Sequence, residues 1–186
     1  MSSNFADRLI AAIEKKGSPI CVGIDPILTS MPDAVFGGGR DKAAHDPQAA
    51  IDAIFDFTTK VLRIVAPHAP CVKFQSAYFE QYHWEGVEAY FNLIQEAKEL
   101  GLVVIGDVKR GDIGSTASAY AAAHLAEPEL SASDEIATPD AITINPMLGI
   151  DTIEPFVKTA SELGKGLFVL VRTSNPGSAE LQDVKL

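Results

Sequence analysis

Five short apolar segments recur along the chain, and longer segments with helical periodicity separate them. Each apolar run has the length of one strand and lacks the alternation of a half-solvated strand, which is typical of strands covered on both faces. Such strands, joined by amphipathic helices, indicate right-handed β-α-β units and a parallel sheet packed against helices. The predicted strands cover residues 19–24, 71–75, 102–105, 141–145 and 167–171.

The helices between these strands are predicted from caps and apolar stripes. Asn4 is placed to cap the first helix, which Gly17 ends, and the pair Asp46-Pro47 is a strong start for the second. Segment 28–45 lacks periodicity and is expected to be a loop, and segment 126–139 is expected to be a polar insertion or loop. The later helices are predicted at 46–65, 85–100, 115–125 and 150–163.

Two parallel folds fit this pattern, a closed TIM-type barrel and an open doubly wound sheet. The GxGxxG fingerprint of a dinucleotide-binding sheet does not follow the first strand. Polar residues instead recur where strands end, as in a barrel that gathers its site at one mouth. The sequence therefore predicts an α/β fold, a single partial TIM-type barrel domain over residues 1–186 with about five of the eight β/α units. The strand-end residues are Asp25, Lys73, Asp107, Asn145 and the run 172–174.

The third predicted strand ends in a run of charges, Asp107, Lys109 and Asp112, with Gly111 and Gly114 beside the last of them. Because side chains alternate along a strand, Asp107 and Lys109 are expected on the same side of the sheet. Glycines permit conformations and close approaches that other residues forbid. The pattern favours a built site in which a carboxylate and an ammonium act together. A surface ion pair that caps the strand is the alternative.

In a parallel barrel, Asp25, Lys73, Asp107 and Lys109 would converge on one mouth. Interleaved lysines and carboxylates neutralise each other in pairs and can hold an ammonium against a ligand. That arrangement suits proton donation and the stabilisation of a developing charge. Two simpler interpretations stay open, since Lys73 could extend to solvent from its strand end and Asp25, followed by Pro26, could form a turn.

Composition narrows the expected partners and location. The formal net charge of −10 opposes contact with a phosphate backbone, so no nucleic-acid partner is expected. The sequence has no apolar stretch of membrane-spanning length, and its start lacks the features of a signal peptide, so we predict a cytoplasmic protein with no membrane contact. Cys21 and Cys71 are expected to be reduced, buried small hydrophobes, and the histidines lack the spacing of a metal-binding helix face.

Taken together, these motifs resemble orotidine 5'-phosphate decarboxylase, in the bacterial form often called type 2, over nearly the whole chain. An isolated Asp-x-Lys-x-x-Asp also occurs in related decarboxylases and aldolases, but its combination with a lysine on the second strand is specific. The segments that carry the resemblance are Gly23-Ile24-Asp25-Pro26, Val72-Lys73-Phe74-Gln75, Asp107-x-Lys109-x-x-Asp112-Ile113-Gly114-x-Thr116, Asn145-Pro146 and Arg172-Thr173-Ser174-Asn175-Pro176-Gly177.

The resemblance implies conversion of orotidine 5'-monophosphate to uridine 5'-monophosphate and carbon dioxide, the last step of pyrimidine synthesis, with neither a metal nor an organic cofactor. It implies that Asp107 presses against the substrate carboxylate and destabilises it relative to the transition state. Lys109 would stabilise the carbanion at pyrimidine C6 and protonate it. Lys73 would complete the charge network and touch the ribose.

The resemblance also implies a homodimer with residues shared between the two subunits. Asp112, together with Ile113 and Thr116, would reach into the active site of the other subunit. Asp25 would bond the ribose hydroxyls, and Ser174 would bond the pyrimidine ring.

The chain departs from the family at its end, because Leu186 comes where further strands are expected. The family holds the phosphate with an arginine on loops after the seventh and eighth strands, a role expected of neither Arg110 nor Arg172. One alternative is therefore a non-catalytic fragment or assembly module without the phosphate-binding strands. Another is a magnesium-dependent sugar-phosphate decarboxylase or aldolase of the same superfamily. In that case Lys73 would occupy the place of an acidic ligand and repel the cation.

Overall fold

The structure, a computed structural model, describes residues 4–126 and 136–184. Its strands are β1 (Cys21–Ile24), β2 (Cys71–Gln75), β3 (Val103–Arg110), β4 (Ala141–Ile144) and β5 (Gly166–Val169). Its α-helices in these ranges are α1 (Phe5–Lys16), α2 (Arg40–Ala43), α3 (Pro47–Val65), α4 (Ala77–Glu80), α5 (His83–Glu99), α6 (Gly114–Leu125), α7 (Ile150–Leu163) and α8 (Ala179–Gln182). Short 3₁₀ turns lie at Leu28–Ser30, Asp33–Phe36 and Pro176–Ser178.

The five strands form one parallel sheet whose order in space is their order in the chain. Gly23 pairs with Lys73, which pairs with Ile105, and the row continues through Ala141 to Gly166. A doubly wound sheet reverses its strand order at a switch point, whereas a barrel wall keeps the sequence order. The sheet therefore has the topology of a barrel wall, and the prediction of five β/α units is confirmed.

Helices cover the outer face of the sheet and enclose the main hydrophobic core. Val72, Phe74 and Val104 alternate with residues of the other face and are fully buried in this core. Each such side chain contributes about 1.5–3 kcal/mol through the removal of apolar surface from water. The outer face is thus a conventional apolar layer, which leaves chemistry to the inner face.

Helix α1 covers only the lower end of the inner face, where the strands begin. Its Phe5 and Leu9 pack against a small buried cluster that includes Cys71 and Val103. A Cβ atom on Gly166 would lie 2.4 Å from the Phe5 ring, so a glycine is required at this contact. Helix α1 thus closes the lower end of the inner face and leaves the opposite end, where the strands finish, uncovered by it.

The local signals that predicted the first two long helices are confirmed. The Asn4 side chain accepts a hydrogen bond of 3.0 Å from the Asp7 backbone N–H, and Gly17 ends α1 with φ of 62°. Asp46 caps α3 through a 3.0 Å bond from the Gln48 N–H. The helices predicted at 85–100, 115–125 and 150–163 are also present with small shifts of their ends.

The prediction of a loop over 28–45 is wrong, because this segment forms two 3₁₀ turns and the short helix α2. These elements are too short to show a helical period in the sequence. Tertiary contacts hold them: Met31 is buried, and Arg40 bonds both its carbonyl oxygen and the Asp33 carboxylate. The predicted insertion at 126–139 lies mostly outside the described residues, which resume at 136.

The two cysteines differ in burial. Cys71 is buried as expected, but Cys21 is exposed because β1 is an edge strand and its inner face lacks a cover there. The structure leaves both thiols free. In the described ranges, no helix is both long enough and apolar enough to cross a membrane.

Candidate active site

Asp107 is the centre of a hydrogen-bonded cluster on the inner face, near the end of β3. Asp107 is only 7% exposed, and both of its carboxylate oxygens accept hydrogen bonds. Lys73 Nζ lies 2.8 Å from Oδ2, and Lys109 Nζ lies 2.5 Å from Oδ1. Gln75 donates to Oδ2 at 3.0 Å, and the Thr143 hydroxyl donates to Oδ1 at 2.9 Å. Three neighbouring strands thus fix one carboxylate from four directions.

Strand register explains how this cluster forms. Lys73 and Gln75 lie two apart on β2 and share its inner face, and Gln75 pairs directly with Asp107. Thr143 occupies the inner face of β4 on the other side of Asp107. The cluster therefore forms because side chains alternate between the two faces along β2, β3 and β4 and the strands lie in this register.

Lys109 reaches Asp107 in a different way from the one expected. The two side chains do share one side, but β3 is irregular between Gly106 and Arg110, where its register with β4 shifts. Lys109 has a φ of 46°, a left-handed conformation that is uncommon for a residue other than glycine. Its backbone N–H donates to Thr143 Oγ1 at 2.9 Å, which stabilises this conformation. Strained backbone of this kind is concentrated at functional sites.

The charges in the cluster do not balance. Burial would raise the pKa of Asp107, but hydrogen bonds from Lys109, Lys73 and Thr143, together with the charge of Lys73, outweigh it and hold the pKa below its usual value. One ionised carboxylate therefore faces two ammonium groups. The lysine side chains are 33% and 46% exposed, so they can also meet a ligand. The cluster can accept an additional anion, and it can give a proton from an ammonium to that ligand.

Contacts behind the cluster hold the end of β3 in place. Ser76 donates its hydroxyl to the Asp107 carbonyl oxygen at 3.3 Å, and Arg110 forms a 2.5 Å ion pair with Glu80 of α4. Gly111 passes so close to the next strand end that a Cβ atom there would lie 2.6 Å from the Asn145 carbonyl oxygen. A side chain at this position would displace the turn that follows Lys109.

The cluster contains three of the eight predicted site residues, Lys73, Asp107 and Lys109. Asp112, Ile113 and Thr116 lie beyond it, at the start of α6, where Ile113 is 63% exposed and Asp112 accepts a hydrogen bond from the Ile113 N–H. Asp25 is exposed after β1, and Ser174 is exposed after β5. Within the described part of the chain, none of these five residues forms a hydrogen bond or ion pair with the three cluster residues.

Thr143 was missed by the sequence analysis, and Gln75 was noted without a role. The signal for Thr143 is its hydroxyl in an otherwise apolar strand, two residues before Asn145. Its importance depends on register with β3, which local sequence does not reveal. Across residues 4–126 and 136–184, no group of three or more His, Cys, Asp or Glu side chains is arranged to hold a metal ion.

A parallel β/α-barrel wall with a lysine–aspartate cluster at the carboxyl ends of its strands defines the class of this protein. Residues 18–185 match the sequence model of the orotidine 5'-phosphate decarboxylase / HUMPS family. The chain therefore belongs to that family, and the predicted TIM-type barrel fold is confirmed.

Individual relatives agree with this assignment. The chain is 42% identical over 182 residues to orotidine 5'-phosphate decarboxylase of Caldicellulosiruptor saccharolyticus, an alignment that covers 97% of this chain and 60% of the relative. It is 43% identical over 185 residues to the enzyme of that name from Rhodopirellula baltica, covering 98% and 59%. A Streptomyces avermitilis crystal structure, provisionally described as the same enzyme, superposes with a TM-score of 0.77 at 35% identity, covering 97% and 57%. The chain thus spans about 60% of the length of the curated relatives it matches.

Proposed function

We propose that this chain supplies the decarboxylating site of an orotidine 5'-monophosphate decarboxylase, which forms uridine 5'-monophosphate and carbon dioxide. The observation that carries the proposal is the ionised Asp107 held between two ammonium groups, with one positive charge in excess. This charge pattern suits a reaction in which a carboxylate is lost and a carbanion is left behind.

In the proposed reaction, the substrate carboxylate lies against Asp107. Two like charges at short range destabilise the bound substrate, and the repulsion disappears as the carboxylate leaves as neutral carbon dioxide. The bond between C6 and the carboxyl carbon breaks, and its electron pair stays on C6. The Lys109 ammonium stabilises that pair and then gives it a proton, after which solvent returns a proton to the lysine.

The remaining cluster residues have positioning roles in this proposal. Lys73 neutralises part of the Asp107 charge and contacts the ribose. Gln75 and Thr143 hold the two carboxylate oxygens, so that Asp107 cannot turn away from the incoming anion. Such preorganisation lowers the cost of rearranging the site during the reaction.

The proposal extends to the five site residues outside the cluster. Asp25 would bond the ribose hydroxyls and Ser174 the pyrimidine ring, and both are exposed for such a contact. Asp112, Ile113 and Thr116 would enter the site of a second copy in a homodimer. The 63% exposure of the apolar Ile113 supports a role at an interface. A cytoplasmic location belongs to this proposal, as the place of nucleotide synthesis.

A second candidate is a nucleotide-binding or assembly unit without turnover. It is favoured by the apolar side chains of Phe168 and Val169 on β5, each 43% exposed, which offer a surface for another chain segment. The magnesium-dependent alternative is disfavoured, because ammonium groups already occupy both oxygens of Asp107.

The test is the change in ultraviolet absorbance of orotidine 5'-monophosphate incubated with the purified chain in EDTA. Wild type is expected to turn over, Lys109→Ala is expected to lose turnover, and Lys158→Ala, an exposed lysine on α7, is expected to keep it. Absence of turnover from a folded sample, with saturable binding of uridine 5'-monophosphate, would support the second candidate instead. Turnover that EDTA abolishes would revive the magnesium-dependent alternative.

A further inference from the structure

Strand β3 has more residues than its neighbour β4 at the point where Lys109 lies. Gly106 pairs with Ile142. The next pair joins Arg110 to Ile144, so four steps along β3 match two steps along β4. The additional residues form a bulge, a feature that redirects side chains next to active sites. The bulge contains the left-handed backbone of Lys109, which is unfavourable for a residue with a side chain and therefore needs support from its surroundings.

Arg110 holds this bulge from the outer side of the sheet. Its guanidinium Nη1 donates to the Val108 carbonyl oxygen at 2.9 Å, so the bond spans the backbone of Lys109. The Arg110 carbonyl oxygen accepts a 2.8 Å hydrogen bond from the Asn145 N–H. Val108 is buried in the outer core, which fixes the carbonyl that Arg110 contacts. The residues on both sides of Lys109 are therefore held, while its ammonium lies against Asp107.

Two further contacts fix the guanidinium of Arg110. Its Nη2 lies 2.5 Å from Glu80 Oε1, and its central carbon lies 5.6 Å from the centre of the Tyr120 ring of α6. The Arg110 and Glu80 side chains are 26% and 38% exposed. Both line a cavity whose other walls include Val87 and Phe91 of α5, and these apolar side chains limit the access of water to the ion pair. The pair is therefore more restrained than one on an open surface.

The position of Glu80 is set by the packing of its own helix. Helix α4 follows β2 almost directly, and its Phe79 is fully buried. A Cβ atom on Gly86 of α5 would overlap the Phe79 carbonyl oxygen, so the two helices are in close contact. Ser76, just before α4, donates its hydroxyl to the Asp107 carbonyl oxygen at 3.3 Å. Helix α4 and the residue before it are thus bonded to β3 on both sides of the bulge.

We propose that Arg110 and Glu80 are positioning residues, which place the Lys109 ammonium against Asp107 through the backbone of the bulge. The kinetic consequence of this assignment rests on the proposed decarboxylation, in which neither residue touches the substrate. Arg110 is required because one side chain must donate to the Val108 carbonyl oxygen and to Glu80 at the same time. A lysine carries the same charge but lacks the planar fork. An ion pair that only stabilised the fold would accept either residue.

The kinetic test compares wild type, Arg110→Lys and Glu80→Ala with orotidine 5'-monophosphate as the substrate. Both variants are expected to lose about 10–100-fold in kcat, because a displacement of about 1 Å in a reacting group has effects of this size. Their KM is expected to stay within about 2-fold of wild type, since neither residue contacts the substrate in the proposed reaction. Glu80→Gln keeps an oxygen that accepts from Arg110, and it is expected to retain most of the wild-type kcat.

Arg63→Lys is the matched control for Arg110→Lys. Arg63 of α3 forms an ion pair of 2.8 Å with Glu96 of α5, away from the bulge, so the same substitution there is expected to keep the wild-type kcat. A wild-type kcat in Arg110→Lys would overturn the proposal. An equal loss of kcat in Arg63→Lys, or a change in Arg110→Lys that is confined to KM, would also overturn it.

A second measurement does not depend on turnover. A crystal structure of Arg110→Lys shows whether Lys109 keeps its left-handed backbone and its hydrogen bond to Asp107. The proposal expects the bond to be lost, and an unchanged bond would overturn the proposal. A folded wild-type chain without turnover would count against the proposed function, and this structure would still decide the positioning role. If Arg110→Lys fails to fold, Glu80→Ala takes its place in both measurements.

Discussion

The centre and the edges of the sheet hold their polar side chains in different ways. At the centre, Asp107 of β3 accepts hydrogen bonds from four side chains on three strands. At the edges, Asp25 after β1 and Ser174 after β5 are exposed. A charged group on a strand with two neighbours can be held by side chains of both neighbouring strands. A strand with one neighbour needs a ligand or another chain segment to hold such a group.

The largest effect is expected at the central carboxylate. Asp107→Asn leaves two ammonium groups without their shared partner and removes the charge that faces the substrate in the proposed reaction. We expect kcat/KM for orotidine 5'-monophosphate to fall by about 10³-fold, the scale seen when a preorganised electrostatic group is lost. Asp183→Asn, which removes an exposed partner of Arg172, is the matched control and is expected to keep turnover. Similar kcat/KM values for the two variants would show that the carboxylate at the centre of the sheet matters no more for turnover than an exposed one.

The next effect concerns the layer behind β3. Burial, with the charge of Arg110 adding and that of Glu80 opposing, lowers the pKa of His124 to about 4. In the unfolded chain the His124 imidazole takes up a proton near its usual pKa of about 6.5, whereas in the folded chain it does so only near pH 4. The neutral imidazole therefore contributes to the free energy of unfolding at neutral pH. As the pH falls from about 6.5 to 4, this contribution of up to about 3 kcal/mol is lost.

Urea unfolding at several pH values checks this expectation. His124→Gln is expected to flatten the fall in unfolding free energy between pH 6.5 and 4, because its side chain does not titrate. His68→Gln, at an exposed histidine, is expected to keep the wild-type slope. An equal slope in wild type and His124→Gln would mean that this buried imidazole is not held neutral.

A smaller effect is expected from a single hydrogen bond at the centre. Thr143→Val removes the hydroxyl that donates to Asp107 and accepts from the Lys109 backbone. Loss of a donor to the charged form raises the pKa of Asp107, so the acidic limb of the kcat/KM profile should move to higher pH. We expect a loss of about 10-fold in kcat, equivalent to one typical charged hydrogen bond. Thr159→Val removes a hydroxyl that donates to the Pro155 carbonyl oxygen within α7, and it should leave the profile in place.

The smallest effect is expected at the edge. Asp25→Asn should change the free energy of unfolding by less than about 0.5 kcal/mol. The Asp25 carboxylate is exposed and has no ion-pair partner among residues 4–126 and 136–184, and such a group contributes little to stability. If Asp25 binds the ribose as proposed, the same variant raises KM. Urea unfolding and nucleotide titration together check this. A loss of stability comparable to that of a buried charge would show that the edge is as tightly organised as the centre.

The sequence predicted features that depend on local chemistry or on strand parity. The Asn4 cap, the Gly17 end and the meeting of Lys73, Asp107 and Lys109 all follow from a few neighbouring residues or from alternation along a strand. The role of Thr143 could not be predicted, because it depends on the register between β3 and β4. The left-handed backbone of Lys109 and the exposure of Cys21 depend likewise on the shifted register and on the position of β1 at the sheet edge.

The most direct test of the central claim is the reaction of the purified chain with orotidine 5'-monophosphate in D₂O, followed by nuclear magnetic resonance. The account predicts uridine 5'-monophosphate and carbon dioxide in equal amounts, with deuterium at C6 of the product because exchanged Lys109 delivers it. The Lys109→Ala chain should give no such product. A folded wild-type chain that releases no carbon dioxide, or a Lys109→Ala chain that forms the labelled product at the wild-type rate, would contradict the account.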